Sequence, residues 1–187
     1  MLKKIGRVAV RLIRWRIDGE IPPHSKRVLV AAPHTSNWDF LLAMIVPPAL
    51  GIRINWLGKY TLFRKPFGWF FRMLGGIPVD RARTTGIVGQ SVAAFESTDE
   101  LNLVITPEGT RRKREYWKSG FYWIALAAKV PIVLVKVDAS NRTVRVGPDF
   151  ALTGQVGADM DRIRKFFEGH NGIKPELAGP VRLRNET

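Results

Sequence analysis

The chain has 187 residues, 45% of them hydrophobic and 10% aromatic, which is enough for one sizeable core and too little for two full domains or a disordered chain. Thirty Lys and Arg against 16 Asp and Glu leave a formal charge of +14, so the expected partners are polyanions: nucleic acid, an anionic bilayer leaflet or a phosphorylated substrate. The absence of cysteine excludes disulfides, a thiolate nucleophile and a Cys-based metal site.

Residues 2–17 predict an amphipathic helix. Leu2, Ile5, Val8, Leu12 and Trp15 recur at spacings of three and four, with Lys3, Lys4, Arg7, Arg11 and Arg14 around the other side. Cations, large apolar groups and a Trp suit a helix lying at an anionic membrane surface; a helix packed on its own domain with a solvated basic face is the alternative. No secretory leader is expected, because the N-terminus lacks an uninterrupted apolar stretch and a small-residue cleavage site. The β-branched run 27–32 predicts a buried strand ending at Pro33. A helix is expected from Trp38, since Ser36 and Asp39 form an S-x-x-D start pattern before an apolar stretch. That stretch, residues 40–50, is the longest apolar run, falls short of the roughly 20 residues a bilayer span needs and contains Pro47 and Pro48, so no transmembrane segment is expected.

Further along, 52–57 reads as a strand, 66–74 as a short aromatic helix closed by Gly75-Gly76, and 77–79 as extended. Helices over 86–97, 120–129 and 159–167 alternate with strands over 101–106, 131–137 and 143–146. The Gly-, Pro- and charge-rich tail from 169 is expected to be irregular. With no repeat and no linker, this alternation predicts one α/β layered domain over 1–187: a mixed, mostly parallel sheet flanked by helices, preceded by the amphipathic N-terminal helix.

Three segments carry residues with chemistry. In Pro33-His34-Thr35-Ser36-Asn37-Trp38-Asp39, the five-residue separation puts His and Asp well off a common face of a continuous helix. If His34 ends the strand and Asp39 lies in the first helical turn, the side chains meet, and the helix terminus favours an ionised Asp39. Asp39 would then fix the imidazole tautomer and support its positive charge, leaving the other nitrogen as a general base. Taken alone the pair reads equally as a capping carboxylate and a loop histidine. Thr106-Pro107-Glu108-Gly109-Thr110-Arg111 also ends a strand; Gly109 permits a tight turn and Arg111 offers a planar fork for phosphate or carboxylate. Because ligands gather at the carboxyl ends of strands in open α/β sheets, this loop and the His34 loop are expected to face one crevice. The third segment, 58–81, interleaves cations with Phe63, Phe67, Trp69, Phe70 and Phe71. That pattern fits base stacking, an interface-seeking surface or plain core.

In this order, P-H-T-S-N-W-D, K-Y-T-L-F-R-K-P-F-G leading to G-G-I-P-V-D-R, P-E-G-T-R and V-P-I-V-L-V resemble the glycerolipid acyltransferase family typified by bacterial 1-acyl-glycerol-3-phosphate acyltransferases. W-K-S-G-F-Y and G-P-D-F extend the likeness over nearly the whole chain. The resemblance implies that His34 takes the proton from an acceptor hydroxyl attacking an acyl thioester directly, with Asp39 orienting it. It implies Arg111, with Lys59 and Arg81, as phosphate-binding residues, and Glu108, Gly109 and Thr110 as shaping that site. The donor would be acyl-CoA or an acyl carrier protein, with no metal or other cofactor. The acceptor would be 1-acyl-sn-glycerol-3-phosphate, giving phosphatidic acid, or alternatively an aminolipid or glycolipid precursor. It further implies a peripheral place on the cytoplasmic face of a bacterial inner membrane, with no nucleic-acid partner. Here Arg111 is followed by Arg112-Lys113-Arg114 where many members have Ser, which leaves open which cation grips phosphate. A basic membrane-binding module is the non-enzymatic alternative; it explains residues 2–17 but gives His34, Asp39 and Glu108 no role.

Overall fold

The computed structural model of the chain describes residues 2–80, 82–169 and 172–186. Its centre is a seven-stranded sheet of β1 (Arg16–Asp18), β2 (Lys26–Ala32), β3 (Asn55–Lys59), β4 (Gly76–Val79), β5 (Leu101–Ile105), β6 (Ile132–Asp138) and β7 (Thr143–Phe150), in the spatial order β1-β7-β6-β2-β5-β3-β4. Every neighbouring pair is parallel except β6 with β7. The central strands β2, β5 and β6 are near-continuous apolar runs because helices cover both of their faces.

Right-handed crossovers set which helix lies on which face. The connection from β2 to β3 through α2 (Trp38–Leu50) and that from β4 to β5 through α4 (Gly86–Glu96) cross the sheet in opposite directions, so the two helices occupy opposite faces. With α4 lie α5 (Gly120–Ala128) and α6 (Val156–Phe167), which bury Phe121, Ile124, Ile163 and Phe167 against Val28, Leu103 and Ile132. With α2 lies α1 (Leu2–Leu12), and together they cover Val137 and Val144. The short α3 (Gly68–Met73) belongs to the α2 side too. Phe71 of α3 and the neighbouring Phe63 pack on Trp56, with ring centroids 6.2 and 6.0 Å away, and Trp56 shares a face with Ile54 rather than with Leu57.

α1 packs on α2 through a narrow contact. Gly6 lies directly on the α2 backbone: a Cβ there would come within 2.4 Å of the Ala49 nitrogen. This close approach turns Gly6 and Val10 inward, and leaves Leu2, Ile5, Val8 and Leu12 pointing to solvent at 54–78% exposure. The aromatics of 58–81 divide similarly: Phe63 is buried, whereas Phe67, Trp69 and Met73 each remain 66% exposed. No helix among the described residues is long and apolar enough to cross a membrane.

Several boundaries differ from expectation. The first helix stops at Leu12 rather than 17, because Arg14 adopts a left-handed conformation and Arg16–Asp18 pairs with Thr143–Arg145 of β7. A tertiary pairing that local periodicity cannot register overrides the helical pattern there. β3 begins at Asn55 rather than 52, since only from there do β4 and β5 offer partners. β7 runs to Phe150 rather than 146, passing Gly147-Pro148 through an irregularity in the ladder that a ladder proline requires. The tail is irregular apart from a 3-10 turn at Pro175–Leu177, yet Val181 and Leu183 are buried in the main core.

Candidate functional site

His34 and Asp39 sit where β2 runs into α2. The strand ends at Ala32, so His34 is free of helical geometry, while Asp39 lies in the first helical turn. The five-residue spacing then closes, with His34 Nδ1 3.0 Å from Asp39 Oδ2. The same oxygen accepts the backbone N–H of Thr35 at 2.8 Å and of Ser36 at 2.9 Å, and Ser36 Oγ accepts the N–H of Trp38 at 3.2 Å. The capping and orienting roles of Asp39 are therefore one arrangement. Its carboxylate satisfies N–H groups ahead of the helix and holds the imidazole at once. Nδ1 faces Asp39, which leaves Nε2 as the available base.

Glu108 joins the second loop to the first. β2 and β5 are parallel neighbours, so the loops after them emerge side by side, and Glu108 Oε1 accepts the backbone N–H of His34 at 3.2 Å. Glu108 is almost fully buried, and burial pushes its carboxyl above the usual carboxylate range; bonds from its own N–H and that of His34 act in the opposite direction. Glu108 Oε2 and Asp39 Oδ1 are buried without a hydrogen-bond partner among the described residues. Two carboxyl oxygens thus lie unpaired close to His34.

The cations are placed less tightly. Lys59 ends β3 and Arg111 follows β5, both at the carboxyl end of the parallel strands where His34 also lies, and both are exposed. No hydrogen bond or ion pair links either to the His34 cluster among the described residues, and Arg81 lies outside those residues. Gly109 adopts φ +62°, and Thr110 Oγ1 accepts the Arg112 N–H at 3.4 Å, so both shape the turn after Glu108. One cation escaped the reading by motif. Lys118 returns to this loop through its N–H, which donates to Pro107 O at 2.8 Å, and its ammonium lies against Gly109, where a Cβ would come within 2.8 Å of Nζ. Its only sequence signal is its place in W-K-S-G-F-Y just before α5.

Beside His34 and Asp39 opens a cavity of about 190 Å³ between α2 and the sheet. Its wall is hydrocarbon from Leu29, Leu42, Val46, Leu50, Val135 and Val144, and its polar groups are His34, Asp39 and Thr106.

The raised carboxyl of Glu108 has a stability consequence with a definite sign. Between the ordinary Glu range and the raised folded value, the unfolded chain ionises while the folded one stays protonated, so this group lowers stability as pH rises through that window. Glu108→Gln keeps an acceptor for the His34 N–H and removes the titration. Melting temperature followed from pH 4 upward is expected to gain on the wild type as pH increases; parallel curves would contradict the burial of an ionisable group here.

The Acyltransferase family model matches residues 14–137. A 1-acyl-sn-glycerol-3-phosphate acyltransferase of Streptococcus pneumoniae (strain ATCC BAA-255 / R6) is 30% identical over 137 residues, covering 67% of this chain and 50% of that protein. One from Escherichia coli (strain K12) is 28% identical over 124 residues, 62% of this chain and 48% of that protein. The chain spans about half the length of the curated relatives it matches. The crystal structure of the 1-acyl-sn-glycerophosphate (LPA) acyltransferase PlsC from Thermotoga maritima superposes with a TM-score of 0.58 at 18% identity, covering 89% of this chain and 73% of that one, and so shares the fold. With the family model spanning β1 to β6 and both strand-end loops, the chain belongs to the Acyltransferase family.

Proposed function

We propose that the chain transfers a fatty acyl group from an acyl thioester, acyl-CoA or an acyl carrier protein, to the free hydroxyl of 1-acyl-sn-glycerol-3-phosphate, giving phosphatidic acid. The observation that carries this reading is that the His34–Asp39 pair lines a cavity whose remaining wall is almost entirely hydrocarbon. A fatty chain inserted beneath α2 leaves its thioester carbonyl beside Nε2. Nε2 takes the proton of the acceptor hydroxyl as its oxygen bonds to the carbonyl carbon. The C–S bond then breaks, and the thiolate leaves with the proton held by the imidazolium. Asp39 stabilises that imidazolium across 3.0 Å, and Glu108 fixes the backbone that carries the ring. No acyl-enzyme is needed, and the chain has no cysteine to form a thioester. The acceptor assignment draws support from the printed names of the relatives and from the exposed cations Lys59 and Arg111 at the same end of the parallel strands.

An anionic membrane surface is the partner this reading implies, since the product is a two-chain anionic lipid. The exposed stripe of α1, flanked by Lys3, Lys4, Arg7 and Arg11, supports it, as do Phe67 and Trp69 on the same side of the sheet.

Purified protein offered a panel of lysolipids with acyl-CoA donors is expected to release thiol and form phosphatidic acid identified by mass, and His34→Ala is expected to lose that activity by roughly a hundredfold or more. A product from an aminolipid or glycolipid precursor alone would replace the acceptor; full activity in His34→Ala would remove the mechanism. Replacing Ile5, Val8 and Leu12 together by Ser is expected to weaken binding to phosphatidylglycerol vesicles by tenfold or more, since each side chain loses a fraction of the roughly 1.5–3 kcal/mol that full apolar burial gives. Unchanged vesicle binding would return α1 to a purely structural role.

A further inference from the structure

Two apolar spaces, not one, meet at the His34 end of the sheet. The second lies between β3 and β5. Those strands pair only through Asn55 with Leu103 and Trp56 with Val104, yet β3 continues to Lys59 and β5 to Ile105. The ladder therefore opens while both strands run on. This is also where the topology forces a crevice. From β5 the chain turns through α5 toward β6, and from β3 it turns the opposite way toward β4, so the segments that leave these two strands diverge at their carboxyl ends.

The crevice measures about 520 Å³, within the range of small-molecule sites, and is walled by Trp56, Leu57, Ile87, Ile105, Phe121 and Ile124. Its polar end is formed by Gly109 and Lys118, and Lys118 makes no ion pair among the described residues. It is separated from the cavity beneath α2 by a partition of Phe40, Ala43, Ile54, Val104 and Thr106, which line both. The two spaces differ in the charged groups of their walls: His34 and Asp39 line one, the Lys118 side chain the other.

We propose that the crevice between β3 and β5 binds the hydrocarbon chain of a single-chain phospholipid, the acceptor, with Lys118 beside its phosphate, while the cavity beneath α2 takes the donor chain. This rests on the acyl-transfer reading for the identity of the two ligands, but the binding it asserts is separately measurable. The chemistry decides the pairing. An acceptor with a phosphate a few atoms from its chain needs a hydrocarbon slot that ends at a cation, and the crevice has one. A thioester needs a slot that ends at a base, and the cavity beneath α2 has that. Gly109 contributes directly, because any side chain at φ +62° here would displace the Lys118 ammonium from the mouth. Phe40 and Ala43 in the partition hold the chains apart, so both reacting ends converge on the partition's polar rim at Thr106 and His34.

The test is equilibrium binding of monomeric 1-palmitoyl-lysophosphatidic acid and, separately, of palmitoyl-CoA to the full chain and three variants, with melting curves to verify folding. Ile87→Trp, which fills the crevice from α4, is expected to weaken lysophosphatidic acid by roughly tenfold or more while sparing palmitoyl-CoA. Val46→Phe, which fills the cavity beneath α2, is expected to do the reverse. Lys118→Ala, an exposed change that leaves the fold intact, is expected to weaken lysophosphatidic acid by about tenfold and leave the uncharged monopalmitoyl-glycerol unaffected. Loss of lysophosphatidic acid in folded Val46→Phe but not in Ile87→Trp, equal losses of charged and uncharged lipid in Lys118→Ala, or no binding to the wild type would each overturn the assignment. A wild type that binds as predicted yet forms no acylated product would instead overturn the acyl-transfer reading and leave the crevice standing.

Discussion

One oxygen atom organises the active-site end of this protein. Asp39 Oδ2 accepts the backbone N–H groups of Thr35 and Ser36 and faces Nδ1 of His34, so three bonds that fix the β2–α2 loop, the start of the helix and the imidazole ring converge on it. Because the side chain is nearly buried, these bonds form in a medium that strengthens them and would penalise an unpaired charge. The dipole of α2 adds to the preference for a carboxylate at this position. Glu108 then ties the neighbouring strand's loop to His34 by a single bond, and the parallel pairing of β2 with β5 is what brings the two within reach.

The rest of the fold builds hydrocarbon around that polar centre. Helices on both faces make the central strands near-continuously apolar, and α2 leaves a cavity between itself and the sheet instead of closing on it. Beyond Trp56 and Val104 the sheet opens again. The same side of the molecule presents the unpartnered apolar stripe of α1 and the exposed aromatics around α3. The proposed acyl transfer calls for these three features together: a surface that seeks the interface, slots for chains, and a charged reacting centre beside the slots. The +14 charge is consistent with an anionic leaflet supplying that interface.

Much of this was legible in the sequence, and the limits have physical causes. Alternating strands and helices gave the α/β class, and the S-x-x-D pattern gave the start of α2 at Trp38. The His34–Asp39 meeting depended on knowing where β2 ends, and Pro33 supplied that. What stayed hidden was non-local. Arg16–Asp18 reads as the end of a helix until β7 arrives to pair with it. The cavity beneath α2 is assembled from Leu29, Val46, Val135 and Val144, which are scattered across the chain, so no window contains it. Lys118 resembles any surface lysine until its ammonium is found against Gly109. The direction of the α1 stripe turned on Gly6, whose missing side chain, rather than any apolar residue, decides which face docks on α2.

The central claim is that Asp39 holds His34 as the proton-transferring base, and Asp39→Asn tests it most directly. The amide retains one acceptor for the Thr35 and Ser36 N–H groups but removes the negative charge that supports the imidazolium. Single-turnover transfer of a palmitoyl group from palmitoyl-CoA to lysophosphatidic acid, measured on protein whose melting curve remains cooperative, is predicted to slow by a factor on the order of a hundred or more. A rate within about twofold of the wild type, on the scale where each tenfold is about 1.4 kcal/mol of barrier, would contradict the account.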